Sequence, residues 1–323
     1  VISPKESQSL ALIMSDSLYI YTNPHLVQTD LTDIDCISAC LETKSPWNVI
    51  LYFIKNKRLY SSTIGNVDYH YRMEKIDNQP PKEIQSIFEF NNKFYGISHI
   101  EENSSILINL QDPQETLPID GIIKCFSIES DRLFLSVSNS IYVLKEIESK
   151  LVIQFTYQLD TQPVALSNFY NSLIIAFPNE IKIAKVENNT LRFDKTTFNL
   201  KSPVKTIVSN GLPWVILEDS TVFIFTFNFR LSQFEIICYA QFKHMSFDKF
   251  CIIDGRTIAA LSDSRHIHFI RMPERTTQSS NNCKLTIAGQ FNSPEPIVDF
   301  QRVNDTIVYI TNNNEVHLLT CCN

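Results

Sequence analysis

The stretch Asp120-Gly-Ile-Ile-Lys-Cys-Phe-Ser-Ile-Glu-Ser-Asp-Arg-Leu-Phe-Leu-Ser-Val-Ser-Asn-Ser-Ile-Tyr-Val-Leu144 divides into three short extended pieces separated by turn formers. Residues 122–128 alternate as a strand, Ser130 and Asp131 turn the chain, and residues 133–137 form a second strand. Asn139 and Ser140 turn it again before a third strand at residues 141–144. β-Branched and aromatic side chains fill the runs, as a pleated surface buried on at least one face requires.

The same grammar recurs on both sides. Upstream, residues 10–21 read as two strands around a Ser-Asp-Ser turn, the back half of a repeat without its front. Further strand groups follow at 33–60, 84–109, 163–183, 203–227, 250–270 and 296–319. Units begin near Asp33, Glu83, Gly121, Pro163, Pro203, Met245 and Pro296, about forty to fifty residues apart. That period, three or four strands per unit and no helical periodicity predict an all-β chain: a single β-propeller of about seven blades over residues 1–323. The strands at 10–21 are expected to close the ring by pairing with the C-terminal blade, which would remove an exposed edge. A pair of β-sandwiches is the competing architecture, and it fits less well because the repeat runs on without a linker near the middle. Two polar intervals stand out as strand-poor, residues 66–82 and 274–282.

Composition narrows the function. The 323 residues are 44% hydrophobic and 20% charged, with a formal net charge of -7, enough chain for a substantial core. The acidic balance argues against a general nucleic-acid or anionic-membrane surface, leaving nucleic acid at most an indirect partner. No run of about eighteen apolar residues predicts a membrane span, and no secretory signal opens the chain. The chain begins at Val1 and is expected to be part of a longer polypeptide. Its eight cysteines include Cys125, Cys238 and Cys251 inside apolar strand runs, where they read as small buried hydrophobes in a reducing compartment. Cys36 and Cys40, and the adjacent Cys321 and Cys322, lack partner pairs at zinc spacing.

Candidate chemistry is sparse. His266 and His268 share a strand face, but no carboxylate or thiol stands at ligand spacing, so a solvated face with Asp263 and Arg265 in the adjoining turn is expected. The acidic pairs Glu218–Asp219 and Asp33/Asp35 read as a hairpin turn and a unit boundary. Trp47 and Trp214 precede apolar runs and are expected in the core, while Lys55 to Arg58 is a basic hairpin tip. With six glycines there is no phosphate-cradling loop, and no nucleophile elbow or zinc-protease motif appears. The sequence therefore assigns no catalytic, cofactor-binding or metal residue, no small-molecule substrate and no enzyme activity.

From Gly121 onward the repeat resembles the C-terminal propeller of the CPSF-A family. The family includes the large subunit of the UV-damaged-DNA-binding complex, the largest cleavage-and-polyadenylation subunit and a splicing-factor relative. The resemblance rests on residues 122–144, then on residues 250–273, where Ile253-Asp-Gly-Arg256 leads through a small-residue strand to Arg271-Met-Pro273. Residues 284–291 are similar to the family's strand entering the last blade. The sequence departs from the family pattern at residues 175–180, where a Gly-Asp is absent, and at residues 263–266, where the turn is Asp-Ser-Arg-His. The resemblance implies a non-catalytic protein-interaction scaffold in a multisubunit nuclear complex, serving DNA repair as a ubiquitin-ligase adaptor or pre-mRNA processing. The citron-homology propellers of endosomal or vacuolar tethering complexes, which the residues 163–176 are also similar to, imply the alternative: a cytoplasmic scaffold on a vesicle surface.

Overall fold

The computed structural model describes the backbone of residues 9–14, 17–22, 25–28, 40–45, 48–55, 58–65, 71–75, 84–101, 103–129, 131–228, 233–273, 283–303, 306–313 and 315–320. Side chains are described for Tyr60 and, with short gaps, from residue 84 to residue 319. Among these residues the secondary structure is strand and turn, and the strands form eight sheets. The all-β expectation therefore holds. No helix among the described residues is long and apolar enough to cross a membrane.

The chain separates into two compact units, Ile123–Val298 and a second made of Val1–Ile122 with Asp299–Asn323. Within the first unit the opening stretch is a meander: Ile123–Glu129, Arg132–Val137 and Ser140–Ile147, completed by Lys150–Gln158. The next sheet repeats the order with Ala165–Phe169, Ser172–Ala176, Glu180–Glu187 and Thr190–Asn199. A third has Val204–Asn210, Leu212–Leu217, Thr221–Asn228 and Gln233–Gln241. The fourth has Phe247–Asp254, Thr257–Ser262, His266–Arg271 and Thr286–Asn292. First strands of successive sheets touch, Ile123–Glu129 against Ala165–Phe169, that strand against Val204–Asn210, and the latter against Phe247–Asp254.

The second strands explain why the repeat was so readable. Along Ser172–Ala176 every residue is buried, because odd and even positions enter different cores. Leu173 and Ile175 pack with Phe134, Ile141 and Val143 of the preceding sheet, while Ile174 and Ala176 pack with Val215, Leu217 and Phe225 of the following one. Trp214 and Ile216 likewise face Phe247, Ile258 and Ile270, and Val215 and Leu217 face the other way. A strand sandwiched between two sheets has no solvent face, so its sequence reads as an unbroken apolar run.

Ladder geometry recurs as well. The pairing of second with third strand is regular in all four sheets of this unit. The pairing of third with fourth carries a register shift in every one, at Val143/Leu144, Lys182/Ala184, Ile224/Phe225 and Phe269/Ile270. Such bulges increase local twist and bend the outer strand, which lets neighbouring sheets splay at their outer edges.

Tight two-residue turns join the strands. Asn91–Asn92, Glu148–Ser149, Tyr170–Asn171 and Asn188–Asn189 all hold both residues at positive φ, the conformation of a turn whose twist matches the flanking strands, and Asp263 and Ser264 do the same within the three-residue turn at 263–265. Asparagine and aspartate at most of these positions tolerate it through their short polar side chains.

In the other unit, two four-stranded meanders are built from Cys40–Ser45, Asn48–Lys55, Arg58–Gly65 and Tyr71–Lys75, and from Ser86–Phe90, Lys93–Glu101, Ser104–Asn109 and Thr116–Asp120. The strand Tyr71–Lys75 corrects the strand-poor reading of residues 66–82, whose remaining residues lie outside those described, as does the interval 274–282. Ser9–Met14, Ser17–Thr22 and His25–Gln28 form a three-stranded sheet of their own, and Ile297–Val303, Thr306–Thr311 and Val316–Thr320 form another. The expected pairing of N-terminal strands with the C-terminal blade is thus absent from the ladders of the described residues. Merging the two would place six strands where the repeat uses four.

Candidate functional sites

His266 and His268 sit on the third strand of the sheet that begins at Phe247, their rings 6.2 Å apart. The hairpin turn at Asp263–Ser264 folds this strand against Thr257–Ser262, pairing Ser262 with His266 and Ala260 with His268. Ser262, His266 and His268 consequently share one face. That face is not solvated as expected. His268 is 3% exposed and Ser262 1%, and the Ser262 Oγ and His268 Nε2 are hydrogen-bonded at 2.8 Å. The Phe247 ring meets the imidazole edge-on at 5.9 Å. Burial pushes the His268 pKa below its ordinary value, His266 adds to that shift, and Asp263 opposes it.

A serine hydroxyl on an imidazole nitrogen is the contact a nucleophile makes with its base, so its chemistry needs weighing. A working pair needs a substrate path to the hydroxyl and a third group holding the other ring nitrogen. Here the hydroxyl is buried, and the His268 Nδ1 is buried with no hydrogen-bond partner among the described residues. The pair is a buried polar contact that fixes the hairpin.

Asp219 behaves as the turn reading requires. It accepts from the Thr221 amide at 3.0 Å and from Gln241 Nε2 at 3.0 Å, and its own amide donates to Ser202 Oγ. Trp214 is 1% exposed within the core. Asp33, Asp35, Trp47, Cys36, Cys321 and Cys322 lie outside the described residues, and so do Asn56 and Lys57 of the basic tip. No group of three or more His, Cys, Asp or Glu side chains among the described residues is placed to hold a metal ion.

Three features were not anticipated. A groove of about 380 Å³ opens where the third-to-fourth-strand bulge is widest, at Ala184 and Phe193, lined by Lys185, Glu187, Arg192 and Asp194. Arg192 Nη1 and Glu187 Oε2 pair there at 3.1 Å, so part of its mixed charge is already neutralised internally. Polar links also join first strands of consecutive sheets. Asn168 Nδ2 donates to Ser127 Oγ at 2.8 Å, and Lys205 Nζ donates to the Phe247 carbonyl and to Asp248 Oδ1, the latter at 3.3 Å.

The third is a disulfide between Cys238 and Cys283. It corrects the reading of Cys238 as a free buried thiol. Cys251 is buried as expected and joins no disulfide, and Cys125 is half-buried, its thiol pushed up to about 11 by burial. Nothing in the sequence pointed to the pairing, because the two cysteines are separated by 45 positions and only the fold makes them neighbours. The Ser262–His268 contact was within reach, since a three-residue turn at residues 263–265 pairs Ser262 with His266 and so places Ser262 and His268 on one face.

No family model matches the chain, and no curated protein matches it.

Proposed function

We propose that the protein is a non-catalytic protein-interaction scaffold, its sheets serving as blades of a β-propeller inside a multisubunit nuclear complex. The observation that carries this reading is the arrangement of the four sheets from Ile123 to Asn292: first strands touch one another, and the fourth strand forms the opposite edge in three of them, with the two-residue strand Cys283–Lys284 added outside it in the sheet that begins at Val204. The fourth strands hold exposed apolar side chains, Ile153, Ile236 and Tyr239, which a partner subunit would cover. Such surfaces recognise folded proteins through a few aromatic or aliphatic anchors. The resemblance to CPSF-A propellers adds the compartment and the class of complex, either DNA repair or pre-mRNA processing.

Affinity purification of the tagged full-length protein from its native cells, followed by mass spectrometry, tests this reading. Recovery of nuclear repair or RNA-processing subunits is expected. Recovery of endosomal or vacuolar tethering proteins alone would replace it with the citron-homology alternative.

A further inference from the structure

The segment around Cys283 lies at a boundary between sheets. Its neighbour on the N-terminal side in the fold, His266–Arg271, is the third strand of one sheet, and Thr286–Asn292 is that sheet's fourth. Between them, Cys283–Lys284 leaves that sheet and joins the preceding one, pairing in parallel with the outer edge of Gln233–Gln241. Cys238 stands opposite Cys283 and Tyr239 opposite Lys284. The Leu285 amide donates to the Tyr239 carbonyl at 3.3 Å, and the Leu285 side chain is 1% exposed in the core shared by both sheets.

A two-residue parallel ladder is too short to persist through main-chain hydrogen bonds alone. The covalent link supplies what the ladder lacks. We propose that the Cys238–Cys283 disulfide is a redox latch that holds Cys283–Lys284 as a fifth strand on the outer edge of the preceding sheet. Opening it releases that strand and uncovers the edge at Cys238 and Tyr239. The edge is one a partner would sense, because Tyr239 is 56% exposed and Ile236 39% on the same strand, and bare strand edges accept extended peptides.

The opening reaction balances with a dithiol reductant. One reductant thiolate attacks the Cys283 sulfur, the less buried of the two, and the bond to Cys238 breaks with both electrons leaving on the Cys238 sulfur, which takes a proton. The second reductant thiol then displaces Cys283, closing the reductant's own disulfide. The protein pair gains two electrons and two protons, and the dithiol loses them.

The test uses the full-length protein with free thiols alkylated before digestion. After incubation with oxidised glutathione, non-reducing peptide mapping is expected to recover a Cys238–Cys283 linked peptide. Amide hydrogen exchange is then followed with and without dithiothreitol. Reduction is expected to accelerate exchange at Leu285 by about tenfold or more, while Leu212–Leu217 in the same sheet is unchanged. Cys283→Ser, which leaves the buried Cys238 in place, is expected to show the faster rate without reductant. Failure to find the linked peptide, or equal exchange at Leu285 in both redox states, overturns the latch.

Discussion

Ser172–Ala176 and Lys150–Gln158 are strands of adjacent sheets with opposite surroundings. The first is buried at all five positions and packs into two cores at once. The second alternates between buried, half-buried and exposed positions. It also carries one extra residue, Gln154, between the partners of Leu144 and Val143. Inner strands are held by packing on both faces. Outer strands are held mainly by main-chain pairing, with one side turned to water.

That difference sets the largest expected effect. Phe134 is fully buried on the second strand of the opening stretch, against Ile175 and Phe177 of the next sheet. Phe134→Ala is expected to cost about 4 kcal/mol, from lost transfer energy and the cavity left between two sheets. The urea midpoint of the full chain measures it. A cost below about 1 kcal/mol would mean that the sheets do not depend on each other for their cores.

Next comes the buried polar pair. Ser262→Ala removes the partner of His268 Nε2 and leaves both ring nitrogens of a buried imidazole unpaired. A loss of about 2 kcal/mol is expected, the penalty for a buried polar group without its hydrogen bond. The same imidazole links stability to pH. Its folded pKa lies below the ordinary value of 6.5, so below that pH the unfolded chain takes up a proton that the folded chain resists. Its contribution is complete above the unfolded pKa and is lost as pH falls from there through the folded pKa. His268→Gln, which can still hydrogen-bond to Ser262, is expected to flatten this part of the acid limb. A variant with an unchanged acid limb would place the acid sensitivity elsewhere.

The contrast between strands also decides what the sequence revealed. Residues 173–177 and 213–217 are unbroken apolar runs, and residues 133–137 are apolar but for the buried Ser136, because both faces are buried, and they made the repeat legible. The fourth strands Lys150–Gln158, Thr190–Asn199 and Gln233–Gln241 were missed. A bulge shifts the alternation midway along each, so no single period-two register spans the strand. Tyr71–Lys75 was missed for its polar composition. Among site residues, the Asp219 turn and the buried Trp214 were readable from local pattern, whereas the burial of His268 and the Cys238–Cys283 link depend on neighbours distant in sequence.

A smaller effect belongs to the turn that connects the two kinds of strand. Glu148 and Ser149 both sit at positive φ, at 49° and 62°, between Ser140–Ile147 and Lys150–Gln158. Replacing them with Asn-Gly supplies residues that adopt this conformation at low cost, and a gain of about 1 kcal/mol is expected in thermal or urea unfolding. A loss instead would show that the Glu148 side chain does something for the hairpin beyond tolerating its backbone.

The smallest expected change in stability is at the outer strand itself. Ile153 is 38% exposed on Lys150–Gln158, paired with Leu144 next to the bulge. Ile153→Thr keeps β-branching and therefore strand propensity, and a good part of the apolar surface it removes already faces water, so stability should move by less than about 0.5 kcal/mol. If outer strands are where partner subunits dock, the same variant should weaken recovery of co-purifying subunits while leaving the urea midpoint in place. A large loss of stability would instead mean that Ile153 is packed by the chain's own residues, and the distinction between inner and outer strands would fail at the position chosen to represent it.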